Sequence, residues 1–117
     1  MGMALITPTE FVVLCKSCMD LTLYESDEPW SLNPDITKAS IDVSPQDIRP
    51  VDIAYIGDMV YMIGFFSDCI YKYDIKKMEY TGKYMCLDTV LPSEISIVND
   101  MIVVIDEYAN IFHYKLF

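Results

Sequence analysis

The 117-residue sequence predicts an all-β protein made of antiparallel β-propeller-like blades, about three repeats, open unless a partner or a second copy completes them. Three observations point there. A run of five apolar positions flanked by turn residues occurs three times. The repeats start roughly 40 to 50 residues apart, which is the period of propeller blades. Helix signals are nearly absent, while a composition 53% hydrophobic with nine Tyr and five Phe favours a folded body rich in strand formers.

The repeat is visible when "TEFVVLCKSCMDLTLYES" from Thr9, "GDMVYMIGFFSDCIYKYD" from Gly57 and "NDMIVVIDEYANIFHYKL" from Asn99 are aligned without a gap. Each opens with a turn pair, Thr9-Glu10, Gly57-Asp58 or Asn99-Asp100, and then runs through its apolar strand. Middle turns follow at Met19-Asp20, Ser67-Asp68 and Ala109-Asn110, and a further strand follows each. Upstream, "LITP" at Leu5 to Pro8, "IAYI" at Ile53 to Ile56 and "ISIV" at Ile95 to Val98 supply a preceding strand. A fourth strand is expected from "WSL" at Trp30 in the first unit and from "EYTGKYM" at Glu79 in the second, and the third unit has no residues left for one.

The chain therefore reads as one β domain with units at about 4–35, 51–87 and 94–117, and a linker over 31–50. Within that linker "SPQDIR" has an N-cap Ser44 and a first-turn Pro45, and Pro50 limits any helix there to one turn. "MVYMI" and "MIVVI" are continuously apolar, not alternating. Such strands are buried on both faces, as between neighbouring blades, although a two-layer sandwich would bury them too.

The stretches "LTLYESDEPWSL", "VDIAYIGDMVYMIGFFSDCIYKYDI" and "ISIVNDMIVVIDEYANIFHYKL" resemble the plant F-box-associated β-propeller domain, a kelch-like family. The resemblance covers about two thirds of the chain. It implies a propeller that recognises a target protein, in a family whose members carry an F-box that recruits a ubiquitin-ligase adaptor. Here no helical F-box precedes the first repeat, and about three blades stand where a ring needs four or more.

Charge narrows the partners. Eight Lys and Arg against 18 Asp and Glu give a net charge of -10, which repels phosphate backbones and anionic lipid alike. Direct nucleic-acid binding and membrane binding are not expected. "MGMALITP" has neither a signal-peptide pattern nor a myristoylation signal, so the expected location is intracellular, cytoplasmic or nuclear, with reduced thiols.

Candidate chemistry is sparse. "CKSC" at Cys15 and Cys18 has the spacing of half a zinc site or a redox pair, but a second CxxC is missing. In the gapless alignment Cys15 shares a column with Ile63 and Ile105, Cys18 with Phe66 and Tyr108, and Cys69 with Leu21 and Ile111, so buried apolar roles are expected for all three. His113 shares a column with Leu23 and Tyr71, and with no second histidine it reads as structural. Asp20, Asp68 and Asn110 recur at turns, where bonds to local backbone explain them. No cofactor and no metal are expected.

The candidate interaction residues are Asp27 and Glu28 of the acidic turn, with Glu25 nearby, and Trp30, an aromatic anchor of the kind enriched in hot spots or else a packing residue of its own blade. The leading expectation is a non-enzymatic protein-interaction module whose propeller is completed by a protein partner or a homo-oligomer, with the N-terminal strand of one copy filling the third blade of another. The alternative is a small acidic inhibitor, of viral or phage type, that occupies a basic site on a nucleic-acid-binding protein.

Overall fold

The computed structural model describes residues 2–7, 10–15, 19–25, 36–43, 49–65, 68–89 and 91–117. Among these residues every regular element is a strand, and the strands form three antiparallel sheets. The first contains β1 (Gly2–Leu5), β2 (Glu10–Cys15), β3 (Asp20–Glu25) and β4 (Ile36–Asp42) in that order. The second contains β5 (Arg49–Ile56), β6 (Met59–Phe65), β7 (Cys69–Asp74) and β8 (Glu79–Cys86). The third contains β9 (Pro92–Val98), β10 (Met101–Asp106) and β11 (Ile111–Lys115). Each sheet is a meander, and β5 lies against both β1 and β9, so the first strands line one side of the stack.

Turn chemistry sets the hairpins. Gly57 has φ 60° at the first central position of the β5–β6 turn, as a type II′ turn requires. Asn99 and Asp100, at φ 51° and 60°, make the type I′ counterpart between β9 and β10. The middle turns also use left-handed residues, at Met19, Asp68 and Ala109.

Two apolar layers hold the sheets together. Val12, Leu14, Leu21 and Leu23 of the first sheet pack on Ile53, Val60, Met62 and Tyr73 of the second. The opposite side of the second sheet, with Ala54, Tyr61, Ile63 and Ile70, packs on Ile95, Ile102 and Val104 of the third. We call the side of each sheet toward the following one its front and the other its back. Successive residues of β6 thus enter different cores, Val60 and Met62 backward and Tyr61 and Ile63 forward, because side chains alternate along a strand. The continuous apolar run follows from this double burial.

The gapless repeat alignment is out of register by one residue in the first unit. It places Val12 and Leu14 with Val60 and Met62, which point backward, yet Val12 and Leu14 point forward. Strand pairing gives the reason. Ile56 pairs with Met59 and Val98 with Met101 across two-residue turns, whereas Leu5 pairs with Phe11 across a longer connection in which the Ile6 and Thr7 N–H groups both donate to the Glu10 carbonyl. The structural counterpart of Tyr61 and Val103 is therefore Val12, not Val13. The third unit differs again: Ile63 pairs with Ile70 but Ile105 with Ile111, so its middle turn is one residue shorter.

Further corrections concern the first unit and the linker. The expected linker over 31–50 contains β4 at Ile36–Asp42, and β5 already begins at Arg49, so neither Arg49 nor Pro50 belongs to a helix. The "WSL" strand and the rest of the expected helical turn lie outside the described residues. The first strand of the chain is Gly2–Leu5, ahead of the "LITP" expectation, and it pairs with β2 in its own sheet. The fourth strand expected from Glu79 is β8.

Candidate functional site

Asp27, Glu28 and Trp30 lie outside the described residues, and Glu25 ends β3. What the described residues bring together is a ladder of thiols and phenols on the back of the β7–β8 hairpin. Cys69 stands opposite Cys86, Tyr71 opposite Tyr84, and Tyr73 opposite Tyr80. From Tyr71 to Tyr73 is two residues while from Tyr84 to Tyr80 is four, so β8 carries a bulge. Gly82 provides its left-handed residue at φ 80°, and the Thr81 hydroxyl donates to the Lys72 carbonyl (2.7 Å) and accepts from the Lys83 N–H (3.1 Å). The bulge keeps all three cross-strand pairs on one face.

The ladder grades from core to solvent. Tyr73 is fully buried in the first apolar layer, its ring 5.2 Å from that of Tyr80. Tyr71 lies 6.1 Å from both Tyr80 and Tyr84, and Tyr84 is 60% exposed. Burial pushes the Tyr73 phenol above its usual range, and Tyr80, Tyr71 and Asp42 add to the shift. Burial, followed by the influence of Cys86, pushes the Cys69 thiol up to about 11. At neutral pH Cys69 is a protonated, weakly nucleophilic thiol. The two sulfurs are 3.6 Å apart, with Cys86 exposed and Cys69 half-buried.

The buried roles expected for the cysteines need correction. Cys69 is not in the column of Leu21 and Ile111; Ile70 is, because of the register differences above. Cys15 is half-buried and disulfide-bonded, against the expectation of reduced thiols, and Cys18 lies outside the described residues. His113 sits opposite Val103 on the front of the third sheet and is exposed.

That front face is the second notable surface. Met101, Val103 and Ile105 of β10 are half-buried there, beside Val98 at 50% and Ile111 at 60% exposure. Their counterparts in the second sheet, Tyr61 and Ile63, lie in a core. The back of the first sheet is less open: Phe11, stacked on Tyr24 at 5.5 Å, is 4% exposed. A cleft of about 430 Å³ also opens between the first two sheets at the β1–β2 and β5–β6 turns. Glu10, Asp58 and Lys76 line it with Leu23 and Ile75, and Lys76 pairs with Asp58 at 3.7 Å.

Elsewhere, polar groups knit the second and third sheets. The Asp52 carboxylate accepts from the Ile95 N–H (3.0 Å), and the Phe117 carbonyl accepts from the Tyr61 hydroxyl (2.8 Å) and from Lys72. Asp106 accepts from the Tyr108 and Asn110 N–H groups, the Asn110 amide and the Thr89 hydroxyl, all within 3.2 Å. Burial raises its pKa, but the bonds from Asn110, Tyr108 and Thr89 prevail and hold the carboxyl below its usual range. Among the described residues no three His, Cys, Asp or Glu side chains gather as a metal-ligand set, and no helix is long and apolar enough to cross a membrane.

The ladder has a signal in the sequence that the repeat alignment does not pick out: Cys69, Tyr71 and Tyr73 alternate along β7, and Tyr84 and Cys86 do so along β8. No protein-family model and no curated protein sequence matches the chain. Solved structures do. The computationally designed Ika4 protein superposes with a TM-score of 0.61 at 7% identity, over 97% of this chain and 64% of that one. The computationally designed Ika8 protein superposes with a TM-score of 0.53 at 6% identity, over 98% of this chain and 45% of that one. The chain thus spans less than two thirds of either design, and at such identities the likeness shows the shared fold alone.

Proposed function

We propose that the protein is a non-enzymatic interaction module, a rigid stack of β-blades that docks another protein through the front of its third sheet. One observation carries this reading: Val98, Met101, Val103, Ile105 and Ile111 form an apolar stripe on this sheet face, flanked by exposed Glu94, Ser96, His113 and Lys115, with no covering layer among the described residues. In the first and second sheets the front is a core surface, and an apolar face of this kind marks an interaction site. The occupant we assign is a second copy of the chain. In a ring of two copies the front of each third sheet packs on the back of the other copy's first sheet, as the first sheet packs on the second, and two copies of a three-sheet chain supply six sheets, inside the roughly four-to-eight-blade range of closed propellers. Closure by exchange of the N-terminal strand is disfavoured, since β1 already pairs with β2 in its own sheet.

A place as the recognition part of a ubiquitin-ligase-like system rests on the sequence resemblance alone. The graded tyrosine surface favours the module over the acidic inhibitor, because aromatic side chains are enriched in protein interfaces. Light scattering across a dilution series tests the assignment. The expected result is a dimer that Val103→Glu converts to a folded monomer, since the substitution puts a charge at the centre of the face. A wild type that is monomeric at every concentration overturns the second copy as occupant. A dimer that Val103→Glu leaves intact overturns the third sheet as its interface.

A further inference from the structure

We propose that Cys69 and Cys86 form a reversible dithiol–disulfide site, oxidised by exchange with a small-molecule disulfide such as oxidised glutathione, which staples outer strand β8 to β7. The site is independent of the docking face on the third sheet.

Register supplies the first argument. The two cysteines are directly opposite, and the Leu87 N–H donates to the Asp68 carbonyl (2.6 Å) just outside them. That flanking bond makes Cys69–Cys86 a non-hydrogen-bonded pair, the kind in which antiparallel Cα atoms approach to about 4.5 Å. A disulfide spans Cα separations of about 4.4–6.8 Å, so the backbone is already in place. The sulfurs, 3.6 Å apart, must approach to about 2.05 Å, which side-chain rotation can achieve. Both thiols are free.

Access supplies the second argument and sets the order of events. Cys86 is exposed and meets the oxidant first, while Cys69 is half-buried. The Cys86 thiolate attacks one sulfur of oxidised glutathione and breaks its S–S bond, which releases one glutathione thiolate and leaves a mixed disulfide on Cys86. Cys69 then gives up its proton and attacks the Cys86 sulfur, and the second glutathione thiolate departs. Two protein thiols have lost two protons and two electrons, and one oxidised glutathione has become two reduced ones. The thiol raised by burial is thus the resolving partner, whose target is delivered beside it.

The staple has a structural consequence. The β7–β8 ladder is interrupted at the bulge opposite Lys72, so the Tyr71–Tyr84 and Cys69–Cys86 pairs form a separate end segment of the outer strand. A covalent link there closes the chain from 69 to 86 and fixes Tyr84 in the reduced state's position.

The experiment equilibrates the full chain in glutathione redox buffers, quenches with an alkylating reagent, and maps peptides without reduction. The expected result is a Cys69–Cys86 linked peptide that appears as two thiols vanish together, with a melting temperature several degrees higher in the oxidised protein. Cys69→Ser is expected to stop at a glutathione adduct on Cys86. Accumulation of that same adduct in the wild type, or loss of either thiol without a 69–86 link, overturns the proposal. The wild-type map decides the matter even if the variant folds poorly.

Discussion

Gly57 and the Asn99-Asp100 pair solve the same chain-reversal problem with different chemistry, and the difference is testable at single residues. Gly57 has no contact that an added Cβ would meet, so replacing it isolates the cost of its φ of 60°. Gly57→Ala is expected to lower stability by about 1–3 kcal/mol in denaturant titration, the cost of holding a residue with a side chain in a sparsely populated positive-φ conformation. Tyr73 gives a second residue-scale prediction. Its phenol keeps its proton to higher pH when folded than when unfolded, so its contribution is complete below the unfolded pKa of about 10 and is lost as pH rises through the folded value. Thermal melts should therefore show stability falling above about pH 10, with Tyr73→Phe flattening the alkaline limb. Asp106 works in the opposite sense. Its lowered pKa adds stability above the unfolded carboxyl value and loses it as pH falls through the folded one, so Asp106→Asn is expected to weaken the acid dependence of the melt.

At the scale of elements, the one-residue slip in the first sheet separates what was legible in the sequence from what was not. The strands β2, β6 and β10 were legible as continuous apolar runs, and the two-residue turns at Gly57-Asp58 and Asn99-Asp100 as turn pairs. Their register was not, because a strand buried on both faces shows no alternation to mark which residues point forward. "FVVLC" fits either phase equally well; only the longer connection between Leu5 and Phe11 decides it. Strand β4 escaped notice for the opposite reason: "ITKASID" is an outer strand with few apolar residues to reveal it. The thiol-tyrosine ladder was half legible, since the alternation along β7 is plain but the bulge in β8 breaks the matching spacing. Register predicts a contrast between neighbours. Leu14→Ala should cost about 2–5 kcal/mol, as for a fully buried side chain, while Val13→Ala, on the half-buried back face, should cost clearly less. Equal losses at the two positions, measured by chemical denaturation, would restore the gapless alignment.

For the whole molecule, the second sheet is the only one with a core on both sides among the described residues, and this asymmetry should govern how the protein opens. Val60 and Met62 are held by the first sheet, Tyr61 and Ile63 by the third, so β6 cannot be exposed without breaking both layers. Among the described residues the third sheet has one core and an uncovered front, and its outer strand β11 leaves an edge with exposed Ile111, His113 and Lys115. The Lys72 and Tyr61 bonds to Phe117 tether the segment after β11 to the second sheet and oppose its fraying. Native-state hydrogen exchange should therefore show β6 amides opening only with global unfolding, β11 amides opening at much lower free energy, and a further loss of β11 protection in Lys72→Ala. If a second copy covers the third sheet, β11 protection should also rise with protein concentration while that of β6 follows the global stability. Protection of β11 equal to that of β6 at the lowest concentrations would mean that the second sheet is not the keystone of the stack, and that the three blades open as a single unit despite their unequal cover.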